Sequence, residues 1–352
     1  MRALRYRGPG IIELADVDEP ELPSGGVVVR SAYAGVCGSD VRSWRHGSAR
    51  LAGGEILGHE VSGTVVASDV DGLPIGARVT TCPGVSCLRC TVCQGDGAIW
   101  CPNRRTLGYD FPGGMAELFA LPAAAIEVGC PVQVPDTLTL KVASLAEPLH
   151  TVLNGQAVGK VGPADSVLVV GLGPIGALHV AVARSRGADP VIGIDRRAER
   201  VSAAARVLGE EGLRHVPQDA ATVRGWAPND GWDVVVLAAG TAHAIDLAMA
   251  AVARGGRIIA FAGMPPDASS VTIDLNRIHY HQLQLVGAFG GSPELFRSAV
   301  RWLSRSTLPL DEMVTAQVPL SKALDAFALC EQGVGLKTTI VTGAVDVSTS
   351  NP

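Results

Sequence analysis

The sequence predicts an α/β protein: a parallel sheet covered by helices on both faces, preceded by a smaller β-rich domain. Three observations carry this expectation. From Ser166 onward, continuous apolar runs of strand length alternate with runs of helical spacing. Residues 1 to about 155 are instead rich in Gly, Pro and Val, with short β-type runs broken by glycines. At 352 residues the chain is long enough for two domains.

In the N-terminal part, GGVVVRSAYAGV and EVSGTVVASDV read as strands of a small barrel-like domain. SVLVVGLG then reads as a strand buried on both faces. PIGALHVAVARSRG follows with helical spacing and a Gly stop, and PVIGID is the next strand. WDVVVLAAG, RIIAFAGM and LQLVGAFGG are further strands, and a helix is expected from about Ala242 to Ala253. After about Gly291 comes a last helical stretch, PELFRSAVRWLSR, and then a tail containing KTTIVTG. The closing VDVSTSNP is polar and expected to fray. No internal repeat is visible.

Composition narrows the function classes. Hydrophobic residues make up 47% and charged residues 18%, which describes a globular protein with ample core. The net charge of −5 offers no basic surface for a phosphate backbone, so nucleic acid is not an expected partner. No apolar run reaches the roughly 18–20 residues of a membrane span. The start, MRALRYRGPGIIEL, has no apolar segment before a cleavage site. The expected location is therefore the cytoplasm, where thiols stay reduced and clustered cysteines point to metal rather than disulfides.

GLGPIG, Gly171 to Gly176, fits G-x-G-x-x-G. It follows a strand, opens a helix, and is followed about twenty residues on by Asp195 at the end of the next strand. Each part has a physical reason. Gly171 permits the tight turn, Gly173 lets the backbone approach a pyrophosphate, and Gly176 lets the helix lie close to the sheet. Pro174 and Ile175 open the helix, whose free N–H groups face the phosphates. Asp195 is expected to accept both ribose hydroxyls of NAD and to repel a 2′-phosphate. Arg196 and Arg197 pull toward NADP, but the carboxylate at the strand end favours NAD. The plain alternative is a glycine-rich turn that binds no nucleotide.

Cys87, Cys90, Cys93 and Cys101 are spaced C-x2-C-x2-C-x7-C. Four thiolates with short spacers match a closed, tetrahedral structural zinc. An iron–sulfur cluster could use similar spacing. A zinc with four thiolates has no open position, so this lobe, about residues 82–105, is expected to hold the fold while the chemistry lies elsewhere. The other candidates are scattered: Cys37 in GVCGSD, His59 and Glu60 in LGHEVSG, Glu147 and His150 in LAEPLH. Each also has an ordinary reading, as a small buried thiol, loop polars, or a carboxylate at a helix start. Cys82, Cys130 and Cys330 read as ordinary buried thiols, and His279 and His281 as surface or contact residues.

Taken together the motifs resemble the zinc-dependent medium-chain alcohol dehydrogenase family. The matching pieces run in order over essentially the whole chain: CGSD at 37–40, GHEVSGTVV at 58–66, IGARVT at 75–80 and the four-cysteine lobe. GGMAEL at 113–118, AEPLHTVLNG at 146–155 and GLGPIG at 171–176 complete the set. The resemblance implies a GroES-like catalytic domain from residues 1–155 and 292–352, with an NAD-binding Rossmann domain, 156–291, inserted between. It implies two zinc ions per subunit. The catalytic one lies in the cleft, ligated by Cys37 and His59, with Glu60 or Glu147 completing the shell. An acidic third ligand resembles the sorbitol, polyol and threonine dehydrogenase branch.

The implied reaction is hydride transfer between NAD and a secondary alcohol or ketone. The implied substrate is polar: a polyol, sugar, cyclitol or amino alcohol. Ser39 matches a family residue that accepts the alcohol proton. A histidine further along usually continues the relay; here Arg42 holds that place, and arginine is no base at neutral pH. Water, His46 or another route must take over; alternatively Ser39 only caps a turn. A homodimer or homotetramer is implied, through LVGAFGG. Two other readings stand beside this one: a simple alcohol or aldehyde reductase with NADP as an option, and a non-catalytic, nucleotide-sensing zinc protein.

Overall fold

A computed structural model describes residues 1–95, 97–216, 220–264 and 268–343. The chain forms two compact units, Met1–His150 with Gly291–Pro352, and Thr151–Gly290. The expected frayed end, VDVSTSNP, lies outside the described residues.

The first unit opens on an antiparallel hairpin of β1 (Arg2–Gly8) and β2 (Ile11–Asp16). β3 (Val27–Gly35), β4 (Glu60–Ser68) and β5 (Arg78–Thr81) follow as successive antiparallel neighbours. The short β6 (Gly84–Val85) and β7 (Arg105–Thr106) pair where the chain enters and leaves the cysteine lobe. β8 (Leu118–Leu121) pairs with β3, and β9 (Pro131–Gln133) with β5.

The second unit contributes β10 (Val167–Val170), β11 (Val191–Asp195), β12 (Leu213–His215), β13 (Trp232–Leu237), β14 (Val252–Ala260) and β15 (Gln284–Gly287). They form one sheet in the order β12-β11-β10-β13-β14-β15, with every neighbouring pair parallel. This is the doubly wound order in which strand sequence reverses beside the first strand. All four residues of β10 are buried, as a strand covered on both faces requires. Leu168, Ile192, Trp232, Val235 and Ile258 form the core of this unit with Leu247 and Ala248 from the helix above. His179 is fully buried against Phe261, with ring centroids 4.7 Å apart. Burial first, and then the Arg186 charge, push its pKa down to about 3, so it stays neutral.

The chain then returns to the first unit with β16 (Val314–Pro319) and β17 (Lys337–Val341). The main sheet there runs β16-β17-β3-β4-β5-β9, so β17 is interior, parallel to β16 and antiparallel to β3. The helix Pro293–Arg305 starts on Ser292, whose hydroxyl accepts the Leu295 amide at 3.3 Å, and buries Phe296, Ala299, Val300 and Leu303. Leu4, Tyr6, Val36, Leu57, Met115 and Phe327 build the core beneath the residues considered next.

Two sequence expectations need correcting. The helix expected to reach Ala253 is Ala242–Ala251, because Val252 turns extended and pairs with Trp232. The strand expected over RIIAFAGM accordingly starts earlier, at Val252, and ends at Ala260. Among the described residues no helix is long and apolar enough to cross a membrane.

Candidate active site

Cys37, His59 and Glu60 converge. One ligand atom from each lies within 4.8 Å of the others. The local sequence explains the placement. Cys37 follows the end of β3 and sits at the N-cap of the helix Gly38–His46, and its amide donates to Asp40 Oδ2 at 2.9 Å. The other oxygen of the buried Asp40 lies 3.3 Å from His59 Nδ1. That is close enough for charge pairing, although Nδ1 has no well-aligned hydrogen bond. Gly58, at φ +105, turns the chain into β4, and a Cβ there would lie 2.6 Å from the Met115 amide nitrogen. Burial opposes protonation of His59, but Asp40 and Cys37 together outweigh it and raise the pKa well above the usual value.

Glu60, the first residue of β4, is 1% exposed. Its Oε2 is ion-paired with the ammonium of Lys337, itself 4% exposed and the first residue of β17. A thiol, an imidazole and a buried carboxylate brought to one point are the donor set of an open zinc site. An Asp holding the imidazole from behind is the usual support for a histidine ligand.

Glu147 is buried at the start of the helix Ala146–Val158 but is not one of the three converging residues. Burial raises its pKa, and neighbouring Glu60 adds to the effect while His150 and His59 oppose it. His150 turns its Nδ1 onto the Glu147 carbonyl and packs beside Cys82 and on Phe296, 5.3 Å between centroids. Ser39 is half-buried on the first turn after Cys37, whereas Arg42 and His46 are exposed. Cys82 and Cys130 are buried and Cys330 is half-buried; His279 is exposed and His281 half-buried.

The four clustered thiols also converge, all within 4.8 Å. Cys87 and Cys93 are 3.9 Å apart, Cys90 and Cys101 3.9 Å, Cys101 and Cys87 3.6 Å. A tetrahedron with Zn–S bonds of about 2.3 Å has edges of about 3.8 Å. The fit is therefore close. The amides of Arg89 and Cys90 lower the Cys87 pKa to about 6, whereas burial and the other thiols push Cys93 up to about 12. Four thiolates need a cation before all can ionise.

In the second unit Gly171 adopts φ +100, and a Cβ on Gly176 would lie 1.7 Å from the Gly171 carbonyl oxygen. Gly173 precedes the helix Pro174–Ser185, with Pro174 and Ile175 in its first turn, and has only Arg200 near its missing Cβ. Asp195 closes β11. Its two oxygens accept the amides of Leu172 at 2.8 Å and Arg197 at 2.9 Å. A pocket of about 100 Å³ opens here, lined by Gly171, Asp195, Arg196, Arg200, Thr241 and Leu247 among others.

With this geometry in hand, comparison with known proteins defines the class. Residues 23–131 match the alcohol dehydrogenase GroES-like domain and 174–305 the zinc-binding dehydrogenase domain. The chain belongs to the zinc-dependent medium-chain alcohol dehydrogenase family: it is an oxidoreductase that uses zinc and a nicotinamide cofactor. It is 31% identical over 345 residues to the "Probable D-xylulose reductase A" of Aspergillus terreus, covering 94% of each chain. It is 30% identical over 329 residues to D-xylulose reductase A of Aspergillus niger, covering 89% of this chain and 88% of that one. Among solved structures it resembles alcohol dehydrogenase TADH from Thermus sp. ATN1, with TM-score 0.86, 27% identity, and 97% and 100% of the two chains covered.

Three residues of the site escaped the sequence reading. Asp40 stood inside CGSD, and an acidic residue three positions after an N-cap is a capping signal that could have marked it. Tyr109 has its ring centroid 5.9 Å from that of His59 and its hydroxyl beside Ser39 and Ser43. Lys337 gave no local signal; only the sheet brings it to Glu60.

Proposed function

We propose that this chain interconverts a polar secondary alcohol, of the polyol or sugar type, and the corresponding ketone, using NAD. The observation that carries the reading is the convergence of Cys37, His59 and Glu60 in the first unit, joined to an intact glycine turn in the second. The polyol class is supported by the printed activity of the D-xylulose reductase relatives. On this reading residues 1–155 and 292–352 are the catalytic domain and 156–291 the cofactor domain.

Cys37, His59 and Glu60 would hold one zinc, and Cys87, Cys90, Cys93 and Cys101 a second. When bound at the first site, zinc supplies a Lewis acid that lowers the pKa of an alcohol hydroxyl. The rest belongs to the chain. Asp40 orients His59 and caps the Cys37 amide. Ser39 takes the hydroxyl proton, with the Tyr109 hydroxyl beside it to pass that proton on. The turn from Gly171 to Gly176 would hold the pyrophosphate of a dinucleotide and Asp195 its adenosine ribose; when bound, the nicotinamide would supply the hydride acceptor.

NADP is the second reading of the cofactor. It is favoured by Arg196, Arg197 and Arg200 around the ribose pocket, and by the two amides already held by Asp195. A panel of polyols, sugars, aminocyclitols and simple alcohols, followed by reduced-cofactor absorbance with NAD and NADP in parallel, tests both points. The expected result is polyol turnover, faster with NAD, in protein carrying two zinc per chain. Activity in protein with metal only in the four-thiol lobe would sink the proposal.

All eight cysteines are free, which fits a reducing, cytoplasmic compartment. β15 is the sheet edge and leaves Leu285 exposed, with Phe289 and Tyr280 both 75% exposed nearby. An apolar edge strand of this kind invites a second copy by two-fold pairing. Light scattering should give a dimer or tetramer; a monomer mass at every concentration removes this assignment.

A further inference from the structure

Lys337 is a buried lysine with a specific task. Its ammonium is ion-paired with Glu60 Oε2, and both residues are almost wholly enclosed. The backbone of β3 is cut away to admit the pair: a Cβ on Gly35 would lie 2.1 Å from Glu60 Oε2 and 2.8 Å from Lys337 Cε. Cys37 and Cys330 also act on the ammonium, and Glu147 is close enough to feel Glu60 and Lys337 as well as His150 and His59. Asp40 faces His59 from the other side. Carboxylates and thiols thus crowd the cluster, and Lys337 is the ammonium fixed directly on one of those carboxylates.

The charge balance has a consequence for a metal. A divalent ion held by one thiolate, one imidazole and one carboxylate has its two charges cancelled by its ligands. A cation fixed on the carboxylate takes back part of that cancellation. We propose that Lys337 is a positioning residue that sets the charge of the metal site: by holding Glu60 it weakens this carboxylate as a ligand and leaves a bound divalent ion positive. The inference rests on reading Cys37, His59 and Glu60 as the site of that ion. Two effects of removing Lys337 have the same sign. The repulsion between the ammonium and the ion disappears. In the metal-free protein Glu60 becomes a buried, unpaired anion, which the ion then relieves.

The test is metal affinity rather than activity. Wild-type protein is loaded with Co2+ and titrated with a chromophoric chelator, and the visible spectrum separates a one-thiolate site from a four-thiolate one. Lys337→Met should hold Co2+ at the one-thiolate site at least about tenfold more tightly than wild type, with shifted visible bands. Lys337→Arg, which keeps the charge, should stay within about threefold of wild type. If Lys337→Met does not fold without metal, chelator-driven release from the loaded protein is timed instead, and should slow at least about tenfold. Equal or weaker binding in Lys337→Met overturns the charge-setting role while leaving the site assignment intact. Wild-type protein that takes up Co2+ only in the four-thiolate lobe overturns both.

Discussion

Cys37→Ser should lower turnover by about three orders of magnitude or more, since a metal-assisted step loses its ion rather than one hydrogen bond. The same variant should carry one zinc fewer per chain and bind NAD within about twofold of wild type. The reason lies in the geometry. Cys37 supplies the only thiol of the converging trio, at the N-cap of the helix Gly38–His46. The glycine turn and Asp195 belong to the other compact unit. Metal analysis, NADH absorbance and a binding titration read the three effects separately. A Cys37→Ser protein that kept its second zinc, or turned over substrate without it, would refute the assignment. A nucleotide sensor would have no turnover to lose, so the experiment also separates that class from an enzyme.

The second large effect concerns stability. Cys93→Ala should remove the other zinc and lower the melting temperature by about 10 °C or more. The scale follows from about 2–4 °C per kcal/mol for a unit of 150–250 residues. The tip of the lobe has little else to hold it. Its helical turns, Thr91–Gln94 and Ala98–Trp100, bury none of their residues, and Trp100 is 72% exposed. A tip with no buried residues in its helical turns depends on its cross-link, and in small zinc peptides metal binding contributes roughly 10–16 kcal/mol to folding. Part of that is lost here, because β6 and β7 still clamp the lobe's base. Differential scanning calorimetry with and without a strong chelator gives the measurement. A variant melting with wild type would mean that the lobe is held by something other than metal.

The elements legible in the sequence were those whose cause is local. β10, the glycine turn and the helix after it follow from four buried valines and leucines, three glycines and a Pro at the first helical position. The four-thiol lobe was legible because its cysteines lie within one short loop. The β1–β2 hairpin was overlooked, although Leu4 and Tyr6 alternate with Arg5 and Arg7 as an inward and outward pattern should. The helix end at Ala251 was misplaced because Val252 is apolar either way, and only pairing with Trp232 makes it strand. At the site, Cys37, His59 and Glu60 could be named but not joined without family resemblance, since nothing in their spacing shows that β3 and β4 are neighbours. The sequence likewise could not tell whether Glu60 or Glu147 comes close to Cys37; among the described residues Glu60 is the one that converges with Cys37 and His59. Lys337 was out of reach for the same reason, being brought in by a strand from the far end of the chain.

That late strand bears on how the protein can be made. The residues of the second unit, Thr151–Gly290, leave the ribosome as one unbroken stretch and can assemble as soon as they emerge. The first unit must wait. β3 is translated early, yet its neighbour on one side, β17, is the last strand synthesised among those described. Until then the N-terminal half is left with an open hydrogen-bonding flank and an acidic pocket that has not met its counter-ion. Among the described strands the one that closes the older half thus comes last, and a nascent chain stalled before residue 337 would hold a complete cofactor unit and an unsealed first unit.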